Sequence, residues 1–272
     1  MSAAVRVQRS GPGGAVARVT IDRPDQRNAL SSEVIDGLWA AFAGFATEPP
    51  EALRAVILAG EGRAFCAGAD VAWMLAATTM TRDENEAQAA TLGRLFLAID
   101  ACPVPVVARV QGAALGGGAG LLCVADVVIA AAGAVIGFPE VRLGLAAATI
   151  APYVVRRIGE GRTRALFTTG VRIDALEAQR VGLVHWVVDD TDALDIAVDE
   201  AIGGILAGAP EAVRAAKALA RDLALGHAGP QARYPEAMAS RLADRRASPE
   251  SAEGLAAFLD RRRPSWAPGE DA

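Results

Sequence analysis

Signals for several classes of protein are missing from this sequence. The net charge is only −5, and the basic residues form no continuous stripe, which argues against nucleic-acid binding. No apolar run is as long as a membrane-spanning helix of about 18 residues requires. The N-terminal residues lack the apolar segment of a signal peptide. We therefore expect neither a nucleic-acid partner nor a membrane association.

Cysteine, histidine and aromatic residues are scarce as well. The three cysteines are an odd number without metal-site spacing, which predicts a reducing, cytoplasmic location and no metal. Only two histidines occur, and neither lies in a motif typical of Ser-His or Cys-His catalysis. Because aromatic residues make up 5% of a chain that is 52% hydrophobic, the core must consist mainly of aliphatic side chains.

Short apolar runs alternate with glycine-bearing loops and helical segments through the first two-thirds of the chain. Strands are predicted at residues 5–9, 15–21, 55–59, 104–110, 127–131 and 134–137, and helices at residues 32–46 and 83–100. This alternation predicts a layered α/β core. The last part of the chain is predicted to be helical, at residues 192–207, 210–225, 231–246 and 249–260.

Two glycine-bearing loops, at residues 60–70 and 112–120, each follow a predicted buried strand. A helix that begins at or just after Gly117 would direct the partial positive charge of its N-terminus at any bound oxygen. If the two strands are neighbours, backbone N–H groups from both loops converge on one negatively charged oxygen. The glycines suit close helix-on-sheet packing equally well, and the loops alone leave both interpretations open.

Glu140 is the candidate for proton transfer. It follows Pro139 in an otherwise apolar loop, an environment that should raise the pKa of its carboxyl. Beside an oxyanion site, such a group would permit chemistry through an enolate. A glutamate paired with Arg142 at the surface is the alternative that the loop by itself leaves open.

Four motifs follow one another along the chain. They are Arg23-Pro-x-x-Arg27-Asn-Ala-Leu, Ala64-Phe-Cys-Ala-Gly-Ala-Asp70, Gly112-x-x-x-Gly-Gly-Gly118 with Ala-Asp126, and Pro139-Glu140 ahead of Leu143-Gly-Leu145. In this order and spacing they resemble the crotonase superfamily, also called the enoyl-CoA hydratase/isomerase family, over about residues 5–262. The run from Glu140 to Tyr153 resembles the bacterial branch of enoyl-CoA and methylglutaconyl-CoA hydratases.

The resemblance implies an α/β crotonase fold, a spiral of ββα units with a helical C-terminal region. Residues 1–195 would form the spiral core with an acyl-CoA site, and residues 196–272 the helical region for trimerisation and CoA contact. The partner would be an acyl-CoA thioester, with coenzyme A as part of the substrate and no separate cofactor. A homotrimer or a dimer of trimers is expected.

The resemblance also assigns the site. Backbone N–H groups of Ala69 and Gly117 would hold the thioester oxygen, with Glu140 as acid and base. The other matching positions would contact the substrate: Arg27, Ala29, Ala67, Gly68, Asp70, Val71, Gly116 and Gly120, with Arg261, Arg262 and Arg263 near the CoA phosphates. For the three arginines, a solvated charge run is the equal alternative.

The sequence departs from the family at Gly120, where hydratases usually carry a first glutamate, and Ala148 stands where a dienoyl-CoA isomerase has an aspartate. Three functions remain compatible with this pattern. We expect hydration of a 2-enoyl-CoA by Glu140 alone. The alternatives are an enoyl-CoA double-bond isomerase with Glu140 as sole proton shuttle, and a non-catalytic acyl-CoA-binding subunit.

Overall fold

The computed structural model describes residues 4–267, which form nine strands and ten α-helices. The strands are β1 (Val5–Ser10), β2 (Val16–Ile21), β3 (Ala55–Gly60), β4 (Val106–Val110), β5 (Ala114–Leu115), β6 (Val127–Ala131), β7 (Val135–Gly137), β8 (Arg172–Asp174) and β9 (Trp186–Val188). The helices are α1 (Ser32–Phe45), α2 (Val71–Ala77), α3 (Arg82–Asp100), α4 (Gly117–Val124), α5 (Ala151–Thr169), α6 (Ala175–Val181), α7 (Thr191–Ala207), α8 (Pro210–Ala224), α9 (Tyr234–Arg246) and α10 (Pro249–Leu259).

The main sheet has the strand order β1-β2-β3-β4-β6-β9. Its first pair is antiparallel and all others are parallel. β3 is buried along its whole length, as expected of a continuous apolar run in the middle of a parallel sheet. Parallel pairing brings the C-terminal ends of β3 and β4 to the same edge, so the two glycine-bearing loops start side by side.

A second, smaller sheet runs β5-β7-β8, and two isolated parallel bridges extend it. These bridges join Leu30 to Ala69 and Cys66 to Ala114. Successive parts of the chain thus contribute a long strand to the main sheet, a short strand or bridge to the small one, and a helix. This is the predicted spiral of ββα units.

Helices cover both faces of the main sheet. One face packs on α1, α3 and α4 in the larger core. On the other face, Ile57 and Ile129 pack against Leu194 and Val198 of α7. The predicted boundary at residues 195/196 therefore lies inside a helix that is packed on the sheet, and the division into two units stays a prediction.

Two cations on α8 hold this helix to the core. Lys217 donates to the Asp126 carboxylate at 2.6 Å and to the Val104 carbonyl at 2.9 Å. Arg221 Nε lies 2.8 Å from Oδ2 of the buried Asp100, which also pairs with Arg156 of α5. These contacts join α8 to α3, α5 and the start of β6.

The four C-terminal helices and α1, for which Ser31 is the N-cap, agree with the predictions. Two helices near the site were not predicted, α2 and α5. α2 spans only seven residues, and α5 contains Gly159 with a non-helical φ of 78°, so neither shows a long helical period. Among residues 4–267, the longest apolar helices fall short of what a bilayer crossing requires.

Candidate active site

A cavity of about 450 Å³ opens where the two glycine-bearing loops meet. Its walls come from residues 67–78 with α2, from α3, from the start of α4, and from the segment 139–150. Most of the lining side chains are apolar, as is usual in small-molecule sites. Seven of the predicted site residues line it: Ala67, Gly68, Ala69, Val71, Gly116, Gly117 and Glu140.

The backbone N–H of Ala69 is directed by the bridge to Leu30. Leu30 donates to the Gly68 carbonyl at 2.8 Å and accepts from the Asp70 N–H at 3.1 Å. In a parallel bridge, the residue between two such partners turns its own N–H to the opposite side. Within the described chain this Ala69 N–H donates no hydrogen bond, and it is available to a ligand.

The second available N–H belongs to Gly117, at the N-terminus of α4. Gly116 before it has φ 51° and ψ −119°, a conformation open to glycine, and donates to the Gly137 carbonyl at 2.8 Å. The predicted helix start at Gly117 is confirmed. A first-turn N–H has no partner inside its helix, and that of Gly117 has none elsewhere among residues 4–267.

The residues that carry these two N–H groups lie close together. A Cβ atom built on Gly117 would be 3.9 Å from the Ala69 nitrogen, and one built on Gly68 would be 3.6 Å from the Gly117 nitrogen. A Cβ at Gly118 would meet the Cys66 carbonyl oxygen at 2.1 Å, so the absence of a side chain there lets α4 approach the loop. The same glycines thus allow α4 to pack against the loop and leave the Gly117 N–H exposed to the cavity.

Among the described residues that line the cavity, Glu140 is the only one with a titratable side chain. It begins a short 3₁₀ turn, Glu140–Leu143, which ends at Gly144 with φ 71°. A Cβ built on Gly116 would lie 2.9 Å from Glu140 Oε1, so the carboxylate sits over the glycine that precedes the Gly117 N–H. The acid and the two donors therefore face the same cavity.

The environment of the Glu140 carboxylate suits proton transfer. Its Oε2 is buried and has no hydrogen-bond partner in the described chain. Burial raises the pKa of this carboxyl, and the hydrogen bond from its own backbone N–H opposes the rise only in part. Among the described residues Glu140 forms no ion pair with Arg142, and its Oε2 is buried, so the alternative of a paired surface glutamate is wrong for this structure.

Asn28 organises the loops behind Ala69, a role that was not predicted from the sequence. Its buried side chain donates to the carbonyls of Glu61 and Ala64, both at 2.8 Å, and accepts from the Arg23 N–H at 2.9 Å. Its φ of 58° is one that asparagine tolerates better than most residues. Gln111 donates to the same Ala64 carbonyl at 2.9 Å.

Asp70 lies at the edge of the site and does not line the cavity. Its side chain caps α2 by accepting from the N–H groups of Ala72 and Trp73, and it pairs with Arg23 at 3.1 Å. Although burial works to raise the pKa of Asp70, the hydrogen bonds from Arg23, Trp73 and Ala72 outweigh it and hold the pKa below its usual value. The carboxylate thus positions α2, a wall of the cavity.

Three further predicted residues do not line the cavity: Arg27, Ala29 and Gly120. The Arg27 carbonyl accepts from the Ala67 N–H at 3.0 Å, while its side chain is exposed. The Ala29 carbonyl accepts from the Arg23 guanidinium at 3.2 Å. Gly120 is buried behind Ile150, a cavity residue that was not predicted from the sequence.

The three arginines predicted to lie near the CoA phosphates differ in their ion pairs. Arg262 forms a two-point ion pair with Glu253, at 2.7 and 2.8 Å, which neutralises its charge. Arg261 and Arg263 have no ion pair within residues 4–267. In the same described part of the chain, no group of three or more His, Cys, Asp and Glu side chains is arranged to hold a metal ion. The three cysteines are unpaired and buried.

Comparisons with known proteins identify the family to which this chain is similar. The family described as enoyl-CoA hydratase/isomerase matches residues 12–269. A Thermus thermophilus protein, provisionally named an enoyl-CoA hydratase, is 36% identical over 254 residues, 93% of this chain and 98% of its own length. The mevalonyl-coenzyme A hydratase sidH of Aspergillus fumigatus is 33% identical over 272 residues, 96% of this chain and 94% of its own.

A solved structure shows the same fold. The crystal structure of an enoyl-CoA hydratase from Shewanella pealeana superimposes with a TM-score of 0.90 at 33% identity. The match covers 97% of this chain and 96% of that one.

Proposed function

This chain belongs to the enoyl-CoA hydratase/isomerase family, and on that basis we propose that it hydrates a 2-enoyl-CoA through a thioester enolate. One observation carries the proposal. The unpartnered carboxylate oxygen of Glu140 shares a mainly apolar cavity with two unpaired backbone N–H groups. An acid-base group and a paired donor site are the two elements that enolate chemistry requires.

In the proposed reaction, the N–H groups of Ala69 and Gly117 donate to the thioester oxygen. The Glu140 carboxylate takes a proton from water, and the resulting hydroxide bonds to the β-carbon as the double bond shifts toward the thioester. The enolate oxygen then carries the negative charge, held by the two N–H groups. Glu140 returns its proton to the α-carbon, so one water is added and the carboxylate is restored.

Double-bond isomerisation is the second candidate. It is favoured by the presence of a single titratable side chain in the cavity wall among the described residues. Glu140 would take a proton from the α-carbon of a 3-enoyl-CoA and return it to the γ-carbon. This route uses the same donors for the enolate and needs no second group to hold water.

A panel of 2-enoyl- and 3-enoyl-CoA thioesters, followed by mass and ultraviolet absorbance together, separates the two reactions. Hydration adds the mass of water and removes the conjugated enoyl absorbance, whereas isomerisation leaves the mass unchanged and raises that absorbance. Absence of any turnover with acyl-CoA binding intact would favour the non-catalytic subunit instead.

The Glu140→Gln variant tests the assignment of the base. Loss of the general acid-base group should lower kcat by about 10²- to 10⁴-fold. Acyl-CoA affinity, measured by calorimetry, should remain close to wild type because the N–H donors and apolar walls are unchanged. A variant that keeps full activity would contradict the role of Glu140.

The remaining expectations stay proposals. A homotrimer or dimer of trimers is supported by exposed apolar residues on α10, among them Phe258 at 81% and Leu255 at 62% exposure. Light scattering on the purified protein tests this assembly. Contact between the C-terminal region and CoA is supported by the unpaired Arg261 and Arg263, and a cytoplasmic location by the unpaired cysteines.

A further inference from the structure

Gly120 is enclosed so tightly that even a methyl group has no space. A Cβ atom built there would lie 2.5 Å from Cγ2 and 3.0 Å from Cβ of Ile150, and 3.2 Å from Cε1 of Phe96. Contacts below 3.0 Å require the neighbour to move. The place where an acid would emerge from α4 is therefore filled by the Ile150 side chain.

Ile150 has little freedom to move away. It immediately precedes α5, and its carbonyl accepts the N–H groups of Tyr153 and Val154 in the first turn of that helix. The side chain is β-branched, so its rotamers are restricted, and only 2% of the residue is exposed. Phe96, which also lies against Gly120, belongs to the same buried core as Ile150.

The same side chain also forms part of the cavity wall, next to the small residues Ala147 and Ala148. Ile150 thus separates Gly120 from the cavity. Because an isoleucine offers no hydrogen bond, the part of the ligand that lies against it must be apolar.

From this packing we propose that Ile150 is a specificity-determining residue. It occupies the volume that a second carboxylate at position 120 would need, and it presents an apolar wall that selects the acyl group. This inference rests on the proposed acyl-CoA function for its second part, whereas its first part concerns packing alone. It predicts that residues 120 and 150 are energetically coupled and that the size of residue 150 sets acyl preference.

The packing part is tested by a double-mutant cycle of Gly120→Ala and Ile150→Ala, read by thermal unfolding. Gly120→Ala should lower Tm by about 5 °C in the wild-type background and much less in the Ile150→Ala background, where the methyl has space. Leu143 is exposed and lines the same cavity, so Leu143→Ala is the matched control. Its effect on Tm should be additive with that of Gly120→Ala. Additive effects of Gly120→Ala and Ile150→Ala would overturn the packing claim.

The specificity part is tested by kcat/KM of Ile150→Ala and wild type for linear and β-branched enoyl-CoA substrates. Removal of three carbons from the Ile150 side chain enlarges the cavity and should shift the branched-to-linear ratio about tenfold or more. An unchanged ratio in an active variant would overturn the claim. If the wild type turns over no enoyl-CoA, the proposed function fails, while the Tm cycle still decides whether Ile150 fills the site of residue 120.

The pair Gly120→Glu with Ile150→Ala extends the test to chemistry. With the space cleared, the new carboxylate can enter the cavity, and the ratio of hydration to isomerisation should rise relative to Ile150→Ala alone. Gly120→Glu in the wild-type background should lose activity because its side chain clashes with Ile150 and disturbs the cavity wall. Equal activity of Gly120→Glu with and without Ile150→Ala would contradict the proposal.

Discussion

Replacement of Asn28 should loosen the loop that presents the Ala69 N–H. Asn28 is fully buried and makes three hydrogen bonds, to the Glu61 and Ala64 carbonyls and from the Arg23 N–H. These bonds join the segment that contains Leu30, which bridges to Ala69, to the loop of residues 61–64 that leads to Ala69. Removal of the side chain therefore acts on the geometry of the site as well as on stability.

The magnitude follows from which partners are left without a bond. The Ala64 carbonyl keeps its bond from Gln111, while the Glu61 carbonyl and the Arg23 N–H lose their bonds from Asn28. Two such losses predict a decrease of about 1–3 kcal/mol in the free energy of unfolding. Asn28→Ala should cost about 1 kcal/mol more than Asn28→Gly, because alanine is strained at a φ of 58° whereas glycine is not.

Urea unfolding of the Asn28→Gly and Asn28→Ala variants measures both quantities. Activity should fall mainly in kcat, by about 10-fold or more, because displacement of the Ala69 N–H weakens contacts that strengthen in the transition state. Asn28→Gly isolates the hydrogen bonds from the backbone strain. If the free energy of unfolding of Asn28→Gly is within about 0.5 kcal/mol of the wild-type value, the three bonds do not stabilise the loop, and the prediction is wrong.

Three further predictions concern pH and the wall of the cavity. Because burial raises the pKa of Glu140, the acid limb of kcat/KM should have its midpoint above the usual glutamate value of about 4.3, and Glu140→Gln should abolish this limb. His185 accepts the Val128 N–H through Nδ1 at 2.8 Å, and burial, aided by Arg157, lowers its pKa. The unfolded chain thus binds a proton more readily, so stability is fully present above about pH 6.5 and falls below it by up to about 1.4 kcal/mol per pH unit. Urea titrations at several pH values should show this loss in wild type and a smaller one in His185→Gln; equal slopes would exclude His185. Asp70→Ala removes the cap of α2 and should lower stability by about 1 kcal/mol and raise KM, while Asp70→Asn should recover much of the cap; an unchanged KM in Asp70→Ala would show that α2 does not shape the site.

Residues close in sequence allowed most of the fold to be predicted. The apolar run at β3 and the helical period of α7–α10 are local patterns, and their predicted bounds agree with the structure to within about two residues, apart from the N-terminal start of α9. α5 escaped prediction because Gly159 interrupts its period. Local pattern fails where a helix is short or broken, because its position then depends on contacts with the rest of the chain.

The motifs by themselves pointed to the family, to a helix start at Gly117 and to Glu140 in an apolar loop, since each depends on neighbours along the chain. Only the tertiary structure decided that Glu140 faces the two unpaired N–H groups, and that Asp70 serves as a helix cap. It also brought Ile150 over Gly120, from 30 positions away in the chain. The physical reason is that vacant space and unpaired donors are properties of packed surfaces, which no single stretch of sequence contains.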